Sequence, residues 1–467
     1  MNRLISALSL ILLISAAAAA QTTPPAIVQL FGFPCDAQTL TQCPLGSFAS
    51  GLIESVDGNF YGIASEGGTG LNAQGTIFKL TPSGQLTVLY NFAEQPDGSL
   101  PNGAAPDTLI EGSDGFLYGT TLVDGKNGVG TAFKISKTGT ITLLHNFCNE
   151  FVCKDGANPS FLTEGLDGSL YGGTGPNSPP TSVLFRLGKS GAYKVLHTFD
   201  SRTQPDGTGI FGMVQASDGN FYGTTVVGEQ SKPANSVFRF DPLTGAYTIL
   251  HAFNSPNIAS SGLTLASDGR LYGLQTGSNL YNINLAGTYR KIRAVSPTPL
   301  SDGDLIQASD GSFWGDFNFG NIVFSATRAG AILQNLSLSP AVNGDQPEGL
   351  FQASDGKFYG VSFMNGAPTN GQPSNGAIWV IDAGLPAPSP TLVNFRPASG
   401  KADSTIRLQG SHFIGTTSVT ISGLPARFKV LSANYIRVTV PAAATTGRID
   451  VTNAGGTAIS STNFTVQ

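Results

Sequence analysis

The stretch ASDGNFYG, Ala216–Gly223, decides how this chain is read, because it does not stand alone. Close copies occur at Val56–Gly62, Ser113–Gly119, Leu166–Gly172, Ser267–Gly273, Ser309–Gly315 and Ser354–Gly360. Their Asp residues, Asp57, Asp114, Asp167, Asp218, Asp268, Asp310 and Asp355, are separated by steps of 57, 53, 51, 50, 42 and 45 residues. That period is the length of a propeller blade and too long for a leucine-rich or ankyrin unit.

Each unit contains four strand signals. Around Asp57 they are Gly51–Ser55, Phe60–Ser65, Gly75–Leu80 and Leu86–Phe92, with DGN and TPSGQ as turns. Apolar alternation with β-branched and aromatic residues argues for strands. The Asp-Gly and Ser-Gly pairs supply the positive φ that tight hairpins need. The third strand recurs in every unit. The fourth recurs at Ile141–Phe147, Tyr193–Phe199, Tyr247–Phe253, Tyr289–Val295 and Ala331–Leu338, but none follows Ile381. An orphan of the same pattern, IVQLFGF at Ile27–Phe33, precedes the first unit. Pairing the orphan with the incomplete last unit closes a ring and removes the open edges of a repeat array. The expected fold is therefore all-β: a seven-bladed β-propeller closed by an N-terminal strand, followed by a small immunoglobulin-like β-sandwich.

Only 12% of the 467 residues are charged, the net charge is −5, and Gly (59) and Pro (28) are abundant. No basic stripe marks a nucleic-acid binder. MNR followed by LISALSLILLISAAAAA has the form of a secretory signal, residues 1–20, cut near Ala20. No later stretch is long and apolar enough to span a membrane, so a secreted, extracellular or periplasmic protein is expected. Export permits disulfides. The four cysteines fall into two close pairs, each just after a strand end (Phe31–Phe33 and His145–Phe147). One disulfide is expected to close a loop from Cys35 to position 44, the other from Cys148 to Cys153. The spacings differ from the C-x-x-C pairs that zinc favours.

The propeller is expected over residues 21–385, a Pro-rich linker over 386–390 and a second domain over 391–467. In that domain PTLVNFRPASGKADSTIRLQGSHF, then TTSVTISGLPARFKVLSANYIRVTVPAAATTGRIDVTNAGGTA, resembles an IPT/TIG domain of immunoglobulin type. The resemblance implies a spacer or docking module without catalysis of its own. GTIFKLTPSGQLTVLYNF with DGANPSFLTEGLDGSLYGGT is similar to the GloVer tandem repeat of exported bacterial proteins, over nearly all of 27–382 and more weakly in the last units. More loosely, the unit is similar to NHL-type propeller repeats. These resemblances imply fold and export but no particular activity.

Several positions could carry chemistry. The seven Asp residues occupy hairpin turns, where the side chain caps nearby N–H groups. One carboxylate per blade cannot supply the six to eight oxygens that calcium needs. The Tyr four residues on (Trp314 in the sixth unit) is expected to pack between blades. Three residues before each Asp, on the innermost strand, stand Glu54, Glu111, Glu164, Gln215, Leu265, Gln307 and Gln352. The three Glu are candidate channel carboxylates, for a cation or for acid–base work. The plainer alternative is a polar row satisfied by neighbouring backbone. His145, His197 and His251 lie at one outer-strand position, where copies diverge around the rim, so no metal site and no cofactor is expected. Asp97, Asp155, Asp206 and Asp345 fall in the connections after fourth strands, which mark the candidate ligand face. No nucleophile elbow and no H-E-x-x-H is present.

The reading that follows is an exported, non-enzymatic binding protein whose loop face contacts a glycan, peptide or cell-envelope protein. The alternative is a hydrolase or lyase acting on carbohydrate or lactone through loop-face carboxylates.

Overall fold

The computed structural model describes residues 24–36, 43–175, 182–199, 207, 209–225, 235–253, 261–275, 277–295, 303, 305–317, 320–369 and 371–467. The expected leader lies outside the described residues. Between Ile27 and Ile381 the described strands form seven four-stranded antiparallel sheets. In six of them the strands follow chain order. The first is Ser47–Glu54, Phe60–Glu66, Thr76–Leu80 and Leu86–Asn91; the last of these six ends at Ile332–Ser337.

The seventh sheet is completed from the other end of the chain. Asp345–Gln352, Phe358–Met364 and Ser374–Ile381 supply three strands, and Ile27–Pro34 pairs antiparallel with Ser374–Ile381 as the fourth. The register runs from Ile27 opposite Ile381 to Pro34 opposite Ser374.

The core lies between blades. Tyr61, Ile77 and Phe92 of the first blade pack on Leu109, Leu117 and Phe133 of the second. Phe33, Val361 and Ile378 of the seventh pack on Leu52, Phe60 and Phe78 of the first. The Gly after each repeat tyrosine has a specific task. A Cβ on Gly62 would lie 2.4 Å from the Phe78 ring, and one on Gly172 would lie 2.3 Å from Phe185. The third-strand aromatic thus occupies the space that any side chain there would need.

Strand order separates two faces. The Asp-Gly turns and the turns between third and fourth strands lie on one, here the turn face. The loops between second and third strands, and the connections between blades, lie on the other, the loop face. Two disulfides close loops after strand ends, Cys35–Cys43 and Cys148–Cys153. The first ends one residue before the expected position 44, because that residue is Pro44, which has no thiol, and the sulfur belongs to Cys43. Among the described residues no helix is long and apolar enough to cross a membrane.

After Ile381 the chain leaves on the turn face. Two four-stranded sheets, one beginning with Thr391–Arg396 and Thr405–Ser411 and the other containing Ser418–Ile421 and Ile449–Asn453, sandwich a core that includes Ile406, Leu408, Phe413, Val438 and Val451. This second domain sits directly on the propeller. The Arg407 guanidinium bonds the Glu164 carboxylate, and the Tyr435 hydroxyl donates to the Glu164 backbone carbonyl (2.7 Å). The Gln409 amide donates to Gln215 (3.0 Å). The linker is held as well, since Ser309 Oγ donates to the Pro386 carbonyl at 2.8 Å. The sandwich therefore covers the axial end of the turn face.

Candidate functional site

The repeat Asp side chains form turns. In all seven copies one carboxylate oxygen accepts the backbone N–H two residues on, at 2.9–3.4 Å. In six the other oxygen accepts the hydroxyl of the tyrosine four residues on, at 2.7–3.1 Å. The seventh copy has Trp314, which lacks that hydroxyl. The tyrosines thus pack between blades and also hold their own turns. Burial alone would raise Asp57 and Asp114; the phenols of Tyr61 and Tyr118, with nearby lysines, outweigh it and leave both below the usual carboxylate range.

The position three residues earlier joins blade to blade. Glu54 accepts the N–H of Ser354 (2.8 Å) and its hydroxyl. Glu111 accepts Ser55 Oγ (2.9 Å) and the Val56 N–H (3.4 Å), and Glu164 accepts the N–H (2.8 Å) and hydroxyl (2.6 Å) of Ser113. Gln215, Gln307 and Gln352 accept the corresponding N–H of Leu166, Ser267 and Ser309. Glu and Gln do the same work here, because each offers an sp2 oxygen to a donor on the preceding blade. Leu265 cannot.

The structure brings the three Glu residues together. They line one axial cavity of about 120 Å3 roofed by Ser432, Ala433, Asn434 and Tyr435 of the second domain. Two of the three carry a cation: Lys137 Nζ lies 2.5 Å from Glu111 and Lys189 Nζ 2.8 Å from Glu164, where Arg407 adds a second. Glu54 has no ion pair among the described residues, and burial raises its pKa against the opposing Ser354 bonds. Among the described residues no three His, Cys, Asp or Glu side chains group so as to hold a metal ion.

The three described loop-face carboxylates, Asp97, Asp155 and Asp345, lie at separate blade connections and each is engaged locally. Asp97 is exposed and caps its own turn through Ser99. Asp155, expected on display, is buried instead. It accepts the N–H groups of Asn149 (2.9 Å) and Glu150 (3.2 Å) and contacts His145 Nε2 (3.2 Å), because the Cys148–Cys153 loop folds over it. Asp345 begins a strand of the seventh blade and accepts the Asn365 amide at 3.1 Å. Asp206 lies outside the described residues. His145, His197 and His251 each stack on the tyrosine of the next blade, at 3.9, 3.9 and 4.0 Å between ring centroids. A groove of about 830 Å3 lies on the loop face at the seam of blades seven and one. Pro34, Asp36, Gly68, Gly70, Asn72 and Gln372 are among its lining residues.

One carboxyl escaped the sequence reading. Asp107 lies at a bulge in the innermost strand Ala104–Glu111, where the neighbouring blades have Ser50 and Ser160. Asp107 is half-buried among the innermost strands, and desolvation pushes its pKa up to about 7. Its only sequence signal is an acid where the adjacent innermost strands carry Ser. An unfolded Asp titrates near about 3.9. Between those two values the folded chain keeps a proton that the unfolded chain releases, so stability falls as pH rises through that window. Asp107→Asn is therefore expected to match the wild type near pH 4 and to exceed it at pH 8 by on the order of a few kcal/mol, read from urea midpoints.

Comparison with known proteins places the chain. The model of the Gloeobacter/Verrucomicrobia repeat matches residues 47–289, and that of the IPT/TIG domain matches residues 390–467. No curated protein matches. Similar solved structures include a streptogramin B lyase (17% identity, TM-score 0.50, covering 75% of this chain and 97% of that one). A catalytically inactive virginiamycin B lyase from Staphylococcus aureus with quinupristin is similar too (16%, TM-score 0.51, 75% and 98%). So is a fungal alcohol oxidase of the AA5 family in complex with copper (12%, TM-score 0.53, 95% and 100%). At these identities the likeness concerns the fold alone. The strand order, the repeat and the family match agree: the chain belongs to the Gloeobacter/Verrucomicrobia repeat family, here built as a β-propeller that carries an IPT/TIG domain.

Proposed function

We propose that the chain is an exported, non-enzymatic binding protein whose loop face contacts a glycan. The observation that carries this reading is the groove of about 830 Å3 at the seam of blades seven and one. Its lining is mostly neutral: amides of Asn72 and Gln372, hydroxyls of Thr69 and Thr369, and glycine backbone. Such a surface offers donors and acceptors to sugar hydroxyls, with Asp36 as the one charged side chain among the described lining residues. It is a concave surface on a rigid scaffold, the usual setting of a binding site.

A hydrolase or lyase on this face needs a pair of carboxylates roughly 5–10 Å apart, aimed at one bond. Asp97 and Asp155 belong to separate connections, and each is engaged by its own loop. This favours binding. The enzymatic relatives in fold share too little sequence to weigh against it. The test is a glycan array probed with the secreted chain and with Ala73→Arg, which projects a long side chain into the groove. Selective binding that Ala73→Arg weakens by at least about tenfold supports the reading. Silence across the array, or binding that Ala73→Arg leaves intact, rejects it.

A further inference from the structure

We propose that a second cavity, between the propeller and the IPT/TIG domain beside Glu54, binds a small organic amine as its ammonium ion. The repeats differ from one another at this position. In the second and third blades the axial glutamate is neutralised from a fixed place, the second residue of the turn between third and fourth strands. That residue is Lys137 in SKTGT and Lys189 in GKSGA. In the first blade the same turn reads TPSGQ, and Pro82 stands where the lysines stand. Glu54 keeps the same inter-blade bonds, from Ser354, but lacks the cation.

The missing charge faces space. Glu54 lines a cavity of about 240 Å3 whose other walls include Leu52, Ile53, Phe351, Ile414 and Asn434. Glu54 is half-buried, and a carboxylate drawn out of water without a counter-ion is left under-solvated. Asp355 nearby adds a second negative charge and so increases the demand for a cation. His412, on the same lining, is pulled below its ordinary value by burial and brings no competing positive charge at neutral pH. An ammonium group on Glu54, with an apolar body against the Leu, Ile and Phe side chains, satisfies both halves of the lining. The volume is below the roughly 300–1,000 Å3 of drug-sized pockets, which sets the ligand as a small one.

The test titrates the full chain with n-butylamine, cyclohexylamine and, as a neutral isostere, n-butanol, followed by calorimetry and NMR shifts. Saturable binding of the amines without binding of the alcohol is expected. Glu54→Gln should weaken the amines at least about tenfold and still fold, since Gln215, Gln307 and Gln352 fill this position in other blades. Pro82→Lys should supply the ammonium internally and abolish amine binding in a chain that melts no lower than the wild type. Equal binding of amine and alcohol, no amine binding, or undiminished binding by folded Pro82→Lys overturns the proposal.

Discussion

Phe33→Ala is expected to cost about 3–5 kcal/mol, the usual loss for a large aromatic deleted from a core. Phe33 is fully buried in the N-terminal strand, edge-on to Phe31 (5.4 Å) and Phe78 (5.3 Å). Phe147 occupies the matching place in the second blade, 5.3 Å from Phe185. The two substitutions should therefore cost similar amounts, but they should differ in where the molecule loosens. Phe147 follows a strand contiguous with its own blade. Phe33 lies in the strand that joins the two ends of the ring. Hydrogen exchange should show Ser374–Ile381 losing protection in Phe33→Ala and not in Phe147→Ala. Uniform loosening in both would show that the N-terminal strand is not what holds the ring shut.

Glu164→Ala has the other large expected effect. This buried carboxylate accepts two bonds from Ser113 and faces Lys189 and Arg407. Its removal leaves Arg407 without its carboxylate and Lys189 with only Asp114 at 3.5 Å. Breaking a buried pair costs about 3–5 kcal/mol, an upper bound here because both cations are partly exposed. Glu164→Gln separates the contributions. It keeps an acceptor for Ser113, as Gln215 does for Leu166, but removes the charge that holds Arg407. It should leave the propeller near its wild-type melting temperature while releasing the IPT/TIG domain. The readouts are protease cleavage in residues 383–390 and a larger radius of gyration. Arg407→Ala should reproduce the release. If neither variant loosens the domain, the Tyr435 and Gln409 contacts hold it without the ion pair.

The ring was legible because a period of about fifty residues repeats every strand, so a missing strand at one end is as informative as an extra strand at the other. The glutamates near the axis were legible as a set, and their shared geometry followed from their shared repeat position. Three things were not. Arg407 meets Glu164 across 243 residues of chain, and nothing periodic links them. Asp107 sits at a bulge, where simple alternation no longer says which way a residue faces. Asp155 has the spacing of a display loop, but a disulfide between residues five apart folds that loop inward. In each case the outcome depends on a contact or a distortion that the repeat does not encode.

Ring closure also sets an order of assembly. Pro34 pairs with Ser374, so the first strand to be synthesised waits for a partner about 340 residues downstream. At ordinary rates of synthesis that wait lasts roughly 20–70 s. Until then the growing chain is an open arc with an unpaired edge at each end, and such edges template unwanted association. A chain that stops before Ile381 never closes. The seam between the first and last strands thus acts as a check on completeness, because only a full-length propeller can hide both of its edges.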